Sequence, residues 1–177
     1  MRIKIVEISV KNIIIDNVKA LYESAFPANE RRDCDKLLSL VEENPFFHLY
    51  AFTEDDAFTG FLSCWNWGDC RYFEHFAVEP AFRNGGRGAK YLQSVVEMEL
   101  SPVILEVEPP VDEMAQRRIG FYQRNGFKLW SDIRYIQPPY SADKESVELK
   151  LMTFGNISLT GEDDERILRI KKDVYGV

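Results

Sequence analysis

The sequence predicts an α/β protein, in which a mixed and mostly antiparallel sheet has helices on both faces. Segments with strand-like and helix-like hydrophobic spacing follow one another in the order β-α-α-β-β-β-α-β-α-β-β-α. The length of 177 residues fits one domain with a sizeable core and would be short for two. We therefore predict a single domain over residues 1–177, with a core at about 1–155 and a helical extension at about 161–177.

The first three elements are a strand and two helices. Residues 2–10 alternate between apolar and polar side chains, as a half-buried strand does. Asp16 is placed to cap a helix that ends at Pro27. Asp33 or Asp35 can open a second helix, which must end before the next proline along the chain.

Three consecutive strands are predicted next, at residues 47–53, 57–65 and 71–78. Turn-forming residues separate them, with two aspartates at 55–56 and a Gly-Asp pair at 68–69. A glycine-rich turn then leads into the third helix, at residues 89–100, whose apolar residues share one stripe.

The remaining elements alternate between strand and helix. Pro102 precedes a nearly continuous apolar strand at residues 103–108. Asp112 opens a helix that Gly126 closes at the position where a left-handed residue ends a helix. The last elements are two strands, at 128–137 and 146–154, and an amphipathic helix within 161–177, with Ile167, Leu168, Ile170 and Val174 as its apolar contacts.

Charge and composition exclude several classes of function. The net charge of −7 and the pI near 5.0 argue against a nucleic-acid-binding protein and weakly favour a cationic substrate. Three cysteines without paired spacing argue against a disulfide framework or a zinc site, and the two histidines form no metal motif. No segment resembles a signal peptide or has the apolar length of a membrane span. We expect a cytoplasmic protein that binds no metal.

The turn between the fourth strand and the third helix is the most informative segment. It reads Arg83-Asn84-Gly85-Gly86-Arg87-Gly88-Ala89. Glycines let a backbone approach phosphate oxygens, and a helix N-terminus supplies N–H donors and positive potential. The turn therefore predicts a diphosphate site. It matches neither the Walker pattern nor the dinucleotide pattern G-x-G-x-x-G.

The pattern that remains is R-x-x-G-x-G, formed by Arg83, Gly86 and Gly88. It resembles the acetyl-CoA loop of the GNAT superfamily of N-acetyltransferases. Residues 117–127 are similar to a later helix of that family, in which a tyrosine, here Tyr122, stands four residues before a Gly-Phe helix end. The order of elements matches over about residues 1–155, so the chain resembles a small bacterial member.

The resemblance implies a fold and a donor. The fold would be GNAT-like, and acetyl-CoA would be the co-substrate. Backbone groups of Phe76, Ala77 and Val78 would pair with the pantetheine arm, and one of their N–H groups would polarise the thioester carbonyl. The diphosphate would lie on the loop formed by Arg83, Asn84, Gly85, Gly86, Arg87, Gly88 and Ala89.

Two carboxylates on neighbouring strands are candidate bases. An alkyl amine has a pKa of about 10.4, so it must lose a proton before it can attack a thioester at neutral pH. Glu74 lies in mid-strand, where an unpaired charge is costly to bury. Glu106 shares one face of its strand with Ile104 and Glu108. Either Glu74 or Glu106 can bind the ammonium group or accept its proton. For the strand of Glu74, alternation assigns Tyr72, Glu74, Phe76 and Val78 to one face and His75 and Ala77 to the other.

Tyr122 occupies the position of the general acid that the resemblance implies. A phenol can donate a proton to the thiolate that leaves. The chain departs from the family pattern at Ala115 and Arg118, where many members have Asn and Ala, so the Asn contact with the coenzyme is not carried over.

Direct acetyl transfer to the primary amine of a small molecule is the predicted function. Two alternatives stay open: an inactive acyl-CoA-binding sensor or assembly domain, and an enzyme that acetylates peptides or proteins. The terminal helix at 161–177 packs either on its own chain or on a second copy, which leaves a homodimer possible.

Overall fold

Seven strands join in one mixed sheet in the computed structural model, which describes residues 2–177. The strands are β1 (Ile3–Glu7), β2 (Phe47–Glu54), β3 (Ala57–Asn66), β4 (Arg71–Val78), β5 (Val103–Val107), β6 (Lys128–Gln137) and β7 (Val147–Phe154). The α-helices are α1 (Ile15–Ala25), α2 (Cys34–Glu43), α3 (Arg87–Val96), α4 (Glu113–Arg124) and α5 (Glu165–Tyr175). This order confirms the predicted α/β class.

The helices cover both faces of the sheet and bury two apolar clusters. One cluster packs under α1, α2 and α5 and includes Val18, Leu37 and Ile167. The other packs under α3 and α4 and includes Leu92 and Ile119. Within residues 2–177, no helix is both long enough and apolar enough to cross a membrane.

Most helix ends follow the predicted capping. The Asp112 side chain accepts a hydrogen bond from the Ala115 N–H at 2.8 Å, and Gly126 is left-handed with φ +88°. Two predictions about helices were wrong. Helix α1 begins before Asp16, which lies inside its first turn rather than at the cap. Leu168 is 47% exposed, because it points away from the stripe that seats α5.

A split in the middle of the sheet creates the space for the site. The strand order is β1-β2-β3-β4-β5-β7-β6, and β4–β5 is the parallel pair. This pair extends over only three residues of each strand, from Arg71 to Phe73 on β4 and from Val103 to Leu105 on β5. Beyond Phe73 the two strands separate, so the rest of β4 has one unpaired edge.

A β-bulge at Glu74 changes which residues share a face of β4. Cys64 of β3 pairs with Phe73 and Ser63 pairs with His75, which leaves Glu74 as the extra residue. The simple alternation was right in placing Glu74 on the face of Tyr72 and wrong beyond Glu74. Glu74 and His75 both face the cluster under α1, as their contacts below show, whereas Phe76 packs on the opposite cluster.

Candidate active site

A cleft of about 950 Å³ occupies the opening between β4 and β5. The three predicted catalytic residues, Glu74, Glu106 and Tyr122, all line it. So do nine of the ten residues predicted to bind the cofactor: Phe76, Ala77, Val78, Arg83, Asn84, Gly86, Arg87, Gly88 and Ala89. The tenth, Gly85, lies in the turn but outside the lining.

The glycine-rich turn presents its backbone to this cleft. Asn84, Gly85 and Gly86 are consecutive left-handed residues with φ of 69°, 73° and 78°. Gly86 is the N-cap residue of α3, and no side chain caps this end of the helix. The Lys90 N–H donates to the Gly86 carbonyl, which is the first hydrogen bond of the helix. The N–H groups of the first helical turn are therefore available to an anion.

The two arginines of the turn make contacts within the protein. Arg87 Nε donates to both carboxylate oxygens of Glu54, at 2.9 and 3.0 Å. Tyr91 of α3 donates to the same carboxylate at 2.6 Å. Arg83 Nε donates to the Val78 carbonyl at 2.9 Å. These bonds anchor the turn to β2 and β4, so its shape is set before any ligand arrives.

The shape of the cleft fits a diphosphate that carries an extended arm. A Cβ built on Gly86 would have no atom within 4 Å, so the space over the turn is open. The unpaired edge of β4 continues from the turn toward Glu74. An extended chain can pair with such an edge as an added strand. The residues present are therefore compatible with acetyl-CoA.

Glu74 is an ionised carboxylate that accepts three hydrogen bonds and pairs with a guanidinium. Oε1 accepts from Arg32 Nη1 at 2.9 Å and from Trp65 Nε1 at 2.8 Å. Oε2 accepts from the Tyr140 hydroxyl at 2.7 Å and lies 2.8 Å from Arg32 Nη2. Burial alone would raise the pKa of Glu74, but Arg32 and the other donors outweigh it and lower the pKa.

Glu106 is a half-buried carboxylate that has no cationic partner among residues 2–177. Three phenols donate to its Oε1: Tyr72 at 2.6 Å, Tyr135 at 2.8 Å and Tyr175 at 2.8 Å. Burial raises the pKa of Glu106 to about 7; the phenol hydrogen bonds oppose this rise and the charge of Glu74 adds to it. Glu106 therefore exists in both protonation states near neutral pH.

The surroundings thus separate the two carboxylates chemically. Glu74 keeps its charge, because a guanidinium and two neutral donors hold it. Glu106 can exchange a proton at physiological pH. Carboxylates whose pKa values are pushed apart in one site are typical of acid–base chemistry.

Tyr122 has a hydroxyl group that is not used within the protein. It makes no hydrogen bond among residues 2–177, and the tyrosine lines the cleft beside Phe121. Burial raises the pKa of Tyr122 to about 12, so the phenol keeps its proton in the resting protein.

His75 is a packed residue and not a charged one. Its Nε2 lies 2.8 Å from the Glu30 carbonyl, and its ring contacts Tyr22 and Phe26 edge-on. Burial lowers the pKa of His75 to about 4, so the imidazole is neutral at physiological pH.

Hydrogen bonds join two segments beside the cleft, next to Gln137 of its lining. Gln137 Nε2 donates to the Asn29 carbonyl at 3.0 Å, and the Glu145 N–H donates to Asn29 Oδ1 at 3.1 Å. Lys144 Nζ donates to the Arg31 carbonyl at 2.6 Å. The segment between α1 and α2 is therefore tied to the segment between β6 and β7.

Sequence reasoning missed several residues of the site. Arg32 was not singled out, although a mid-strand glutamate requires a cation if it is to stay charged. Tyr72 and Tyr175 were also missed, because their contacts with Glu106 span 34 and 69 residues. Tyr135 and Tyr140 each bind one of the carboxylates.

Comparisons with known proteins agree with this architecture. A family model of an acetyltransferase (GNAT) domain matches residues 45–129. A GNAT-family protein from Bacteroides thetaiotaomicron superposes with a TM-score of 0.91 at 35% sequence identity, covering 100% of this chain and 99% of that chain. The sequence matches no curated protein significantly.

More distant structures share the fold alone. The ribosomal-protein-S18-alanine N-acetyltransferase from Escherichia coli has a TM-score of 0.64 at 17% identity, covering 92% of this chain and 98% of that chain. The protein yncA from Salmonella typhimurium, solved with its cofactor acetyl-CoA, has a TM-score of 0.63 at 16% identity, covering 92% and 99%. The Bacteroides match, by contrast, combines the fold with 35% identity along the whole chain. The chain therefore belongs to the GNAT family of acetyltransferases.

Proposed function

We propose that this protein transfers an acetyl group from acetyl-CoA to a primary amine of a small molecule, by direct attack of the amine. One observation carries the proposal: a single cleft is lined both by a glycine turn at a helix N-terminus and by a half-buried carboxylate that three phenols hold. The acetyl donor and the amine acceptor would therefore bind in the same cleft.

Acetyl-CoA, when bound, would supply an activated acetyl thioester. The N–H groups at the start of α3 would hold its diphosphate, and Gly86 keeps the approach open. The unpaired edge of β4 at Phe76 to Val78 would orient the extended arm. These roles follow from backbone groups, so they depend more on glycine and on strand geometry than on the two paired arginines.

Glu106 is the better candidate for the proton acceptor. Its Oε1 already accepts from three phenols, whereas Oε2 has only the longer contact of 3.1 Å from Tyr175. Oε2 can therefore accept a hydrogen bond from an ammonium group and then its proton, directly or through water.

Glu74 would serve as a fixed negative charge. Three hydrogen bonds and the close approach of Arg32 Nη2 already occupy its two oxygens, so it is poorly placed to accept a substrate proton. Its charge still favours a cation nearby and raises the pKa of Glu106. We therefore assign the base to Glu106 and an electrostatic role to Glu74.

Tyr122 would donate the proton that the departing thiolate needs. A thiol has a pKa of about 8.5, and a phenol that is not otherwise bonded can donate as charge builds on sulfur. The hydroxyl of Tyr122 meets this condition, because it hydrogen-bonds to no group among residues 2–177.

Hydrogen bonds beside the cleft favour a small acceptor. The Asn29 contacts and the Lys144–Arg31 contact join the segment after α1 to the segment after β6, next to Gln137 of the cleft lining, which would restrict the room for an extended peptide. The E. coli relative is named for acetylating alanine of a ribosomal protein, which keeps a peptide acceptor as the second candidate. Cytoplasmic location and a homodimer stay predictions.

Two measurements test the proposal. Ligand binding stabilises a fold, so acetyl-CoA at 100 times its Kd should add about 2.7 kcal/mol to the free energy of unfolding. Thiol release should then be followed with a panel of small amines and with peptides that carry a free N-terminus. Release with small amines supports the proposal, and release with peptides alone supports the second candidate. Binding without release from any acceptor would leave an acyl-CoA-binding sensor.

A further inference from the structure

Helix α5 brings a tyrosine from the last turn of the fold into the site. The Tyr175 hydroxyl donates to Glu106 Oε1 at 2.8 Å and lies 3.1 Å from Oε2. The residue is 8% exposed, and its ring lies 4.9 Å from that of Tyr140, which binds Glu74. Tyr175 therefore binds Glu106 directly and packs against the tyrosine that binds Glu74.

The three phenols around Glu106 are not equivalent. Tyr72 and Tyr135 donate to Oε1, whereas Tyr175 contacts both oxygens. Within residues 2–177, Tyr175 is also the one group that hydrogen-bonds to Oε2. This hydroxyl is therefore placed to restrain how the carboxylate is rotated about its last bond.

The packing of α5 against the sheet holds this hydroxyl in place. Ile167 and Ile170 are fully buried against the sheet, and Val174 is 9% exposed. Arg169 ties the helix to Asp69 of the β3–β4 turn at 2.7 Å. A docked helix with buried side chains can position a hydroxyl more precisely than a loop can.

We propose that Tyr175 is a positioning residue for the reaction: it holds the Glu106 carboxylate so that Oε2 meets the acceptor, and it stabilises the ionised form. This inference rests on the proposed function, because it assumes that Glu106 accepts the proton of the amine. It assigns α5 to the active site.

The charged and titratable groups around Glu106 define the expected effect. They are Tyr72 and Glu74 from β4, Tyr135 from β6, Tyr140 from the segment after β6, and Tyr175 from α5, with Lys171 of α5 over the Tyr135 ring at 5.8 Å. Removing a donor to the charged form makes ionisation harder, so the pKa of Glu106 should rise in Tyr175→Phe.

The test uses the whole protein and the substitution Tyr175→Phe, which keeps the ring. The Glu106 carboxyl is followed by carbon NMR of protein labelled in its glutamates and assigned with Glu106→Gln. We expect the midpoint of its titration to rise by about one pH unit, a tenfold change in the ionisation constant. The acidic limb of the pH profile for acetyl transfer should move by the same amount, and raising the pH should restore the rate.

Ile167→Val is the matched control, because it weakens the packing of α5 and keeps the hydroxyl. It should leave both midpoints where they are in the wild type. The inference is overturned if Tyr175→Phe titrates like the wild type, or if Ile167→Val causes the same shift.

A measurement on the wild type needs no change at Tyr175. In protein labelled at tyrosine Cζ, at least three resonances should titrate with the midpoint of Glu106 and stop doing so in Glu106→Gln. Fewer than three would contradict the three-phenol site. These NMR readouts do not require turnover. A protein that shows them but transfers acetyl to no amine would refute the proposed function and leave the Tyr175 contact intact.

Discussion

Arg32 and Glu74 form an ion pair that is almost completely removed from water. Arg32 Nη2 lies 2.8 Å from Glu74 Oε2, and the two side chains are 5% and 0% exposed. The pair explains how a charged residue can occupy the middle of β4. It also explains why Glu74 differs from Glu106, which three phenols surround and which pairs with no cation in the described part of the chain.

Replacing Arg32 by Met should destabilise the fold by about 3–5 kcal/mol, because it leaves a buried carboxylate without its cation. Urea unfolding at pH 7 measures the change. Arg117→Met is the control, since Arg117 pairs with Glu113 on the surface and both side chains are 77% exposed. It should cost no more than about 1 kcal/mol. Equal losses in the two variants would mean that the buried pair contributes no more to stability than the surface pair does.

The ion pair also predicts the response of the fold to acid. The pKa of Glu74 is lower in the folded protein than in the unfolded chain, so its contribution is fully present above the unfolded pKa. That contribution is lost as the pH falls through the folded pKa. Unfolding of Glu74→Gln should therefore respond less to acid than unfolding of the wild type.

Glu106 predicts the opposite dependence on pH. Its pKa rises to about 7 in the folded protein, so the native state keeps a proton that the unfolded chain has lost. Stability should therefore fall as the pH rises from about 4.5 to 7, by about 3 kcal/mol from this group. Glu106→Gln should remove this dependence and be more stable than the wild type at pH 8.

The same variant tests the chemical role of Glu106. If the carboxylate accepts the proton of the amine, Glu106→Gln should lower the rate of acetyl transfer by about 10²–10⁴-fold. Acetyl-CoA affinity should change little, because the glycine turn is elsewhere in the cleft. A stable Glu106→Gln protein with the wild-type rate would move the base to another group.

Local patterns in the sequence predicted the order of the elements and the location of the loop. Strand alternation, the Asp112 cap and the glycine turn depend on neighbours in the chain, so they are readable without a structure. The bulge at Glu74 was not readable, because it depends on how β3 pairs with β4. The contact between Tyr175 and Glu106 depends on how α5 packs against the sheet. The features of the site that the sequence did not predict are therefore those that depend on contacts between distant parts of the chain.

Tyr122→Phe should lower kcat by about 10²–10⁴-fold and leave acetyl-CoA affinity and stability unchanged. The hydroxyl makes no hydrogen bond in the described protein, so its loss leaves no partner unsatisfied. Steady-state kinetics and calorimetric binding separate the two effects. Tyr50→Phe, on β2 and outside the cleft lining, is the control and should keep the wild-type kcat. A wild-type kcat in Tyr122→Phe would mean that Tyr122 only packs in the cleft and is not the general acid.

Gly86→Val should weaken acetyl-CoA binding by at least about tenfold, or about 1.4 kcal/mol. Gly86 has φ +78°, and its absent side chain leaves open space over the turn, so valine both strains the backbone and fills the approach. Gly68→Val separates these effects, because Gly68 also has positive φ and open space but lies in the turn between β3 and β4. Both variants should lose about 1–2 kcal/mol of stability. Only Gly86→Val should lose affinity in calorimetric titration, because only Gly86 stands where the diphosphate must approach. An unchanged affinity in Gly86→Val would mean that the diphosphate does not bind at this turn.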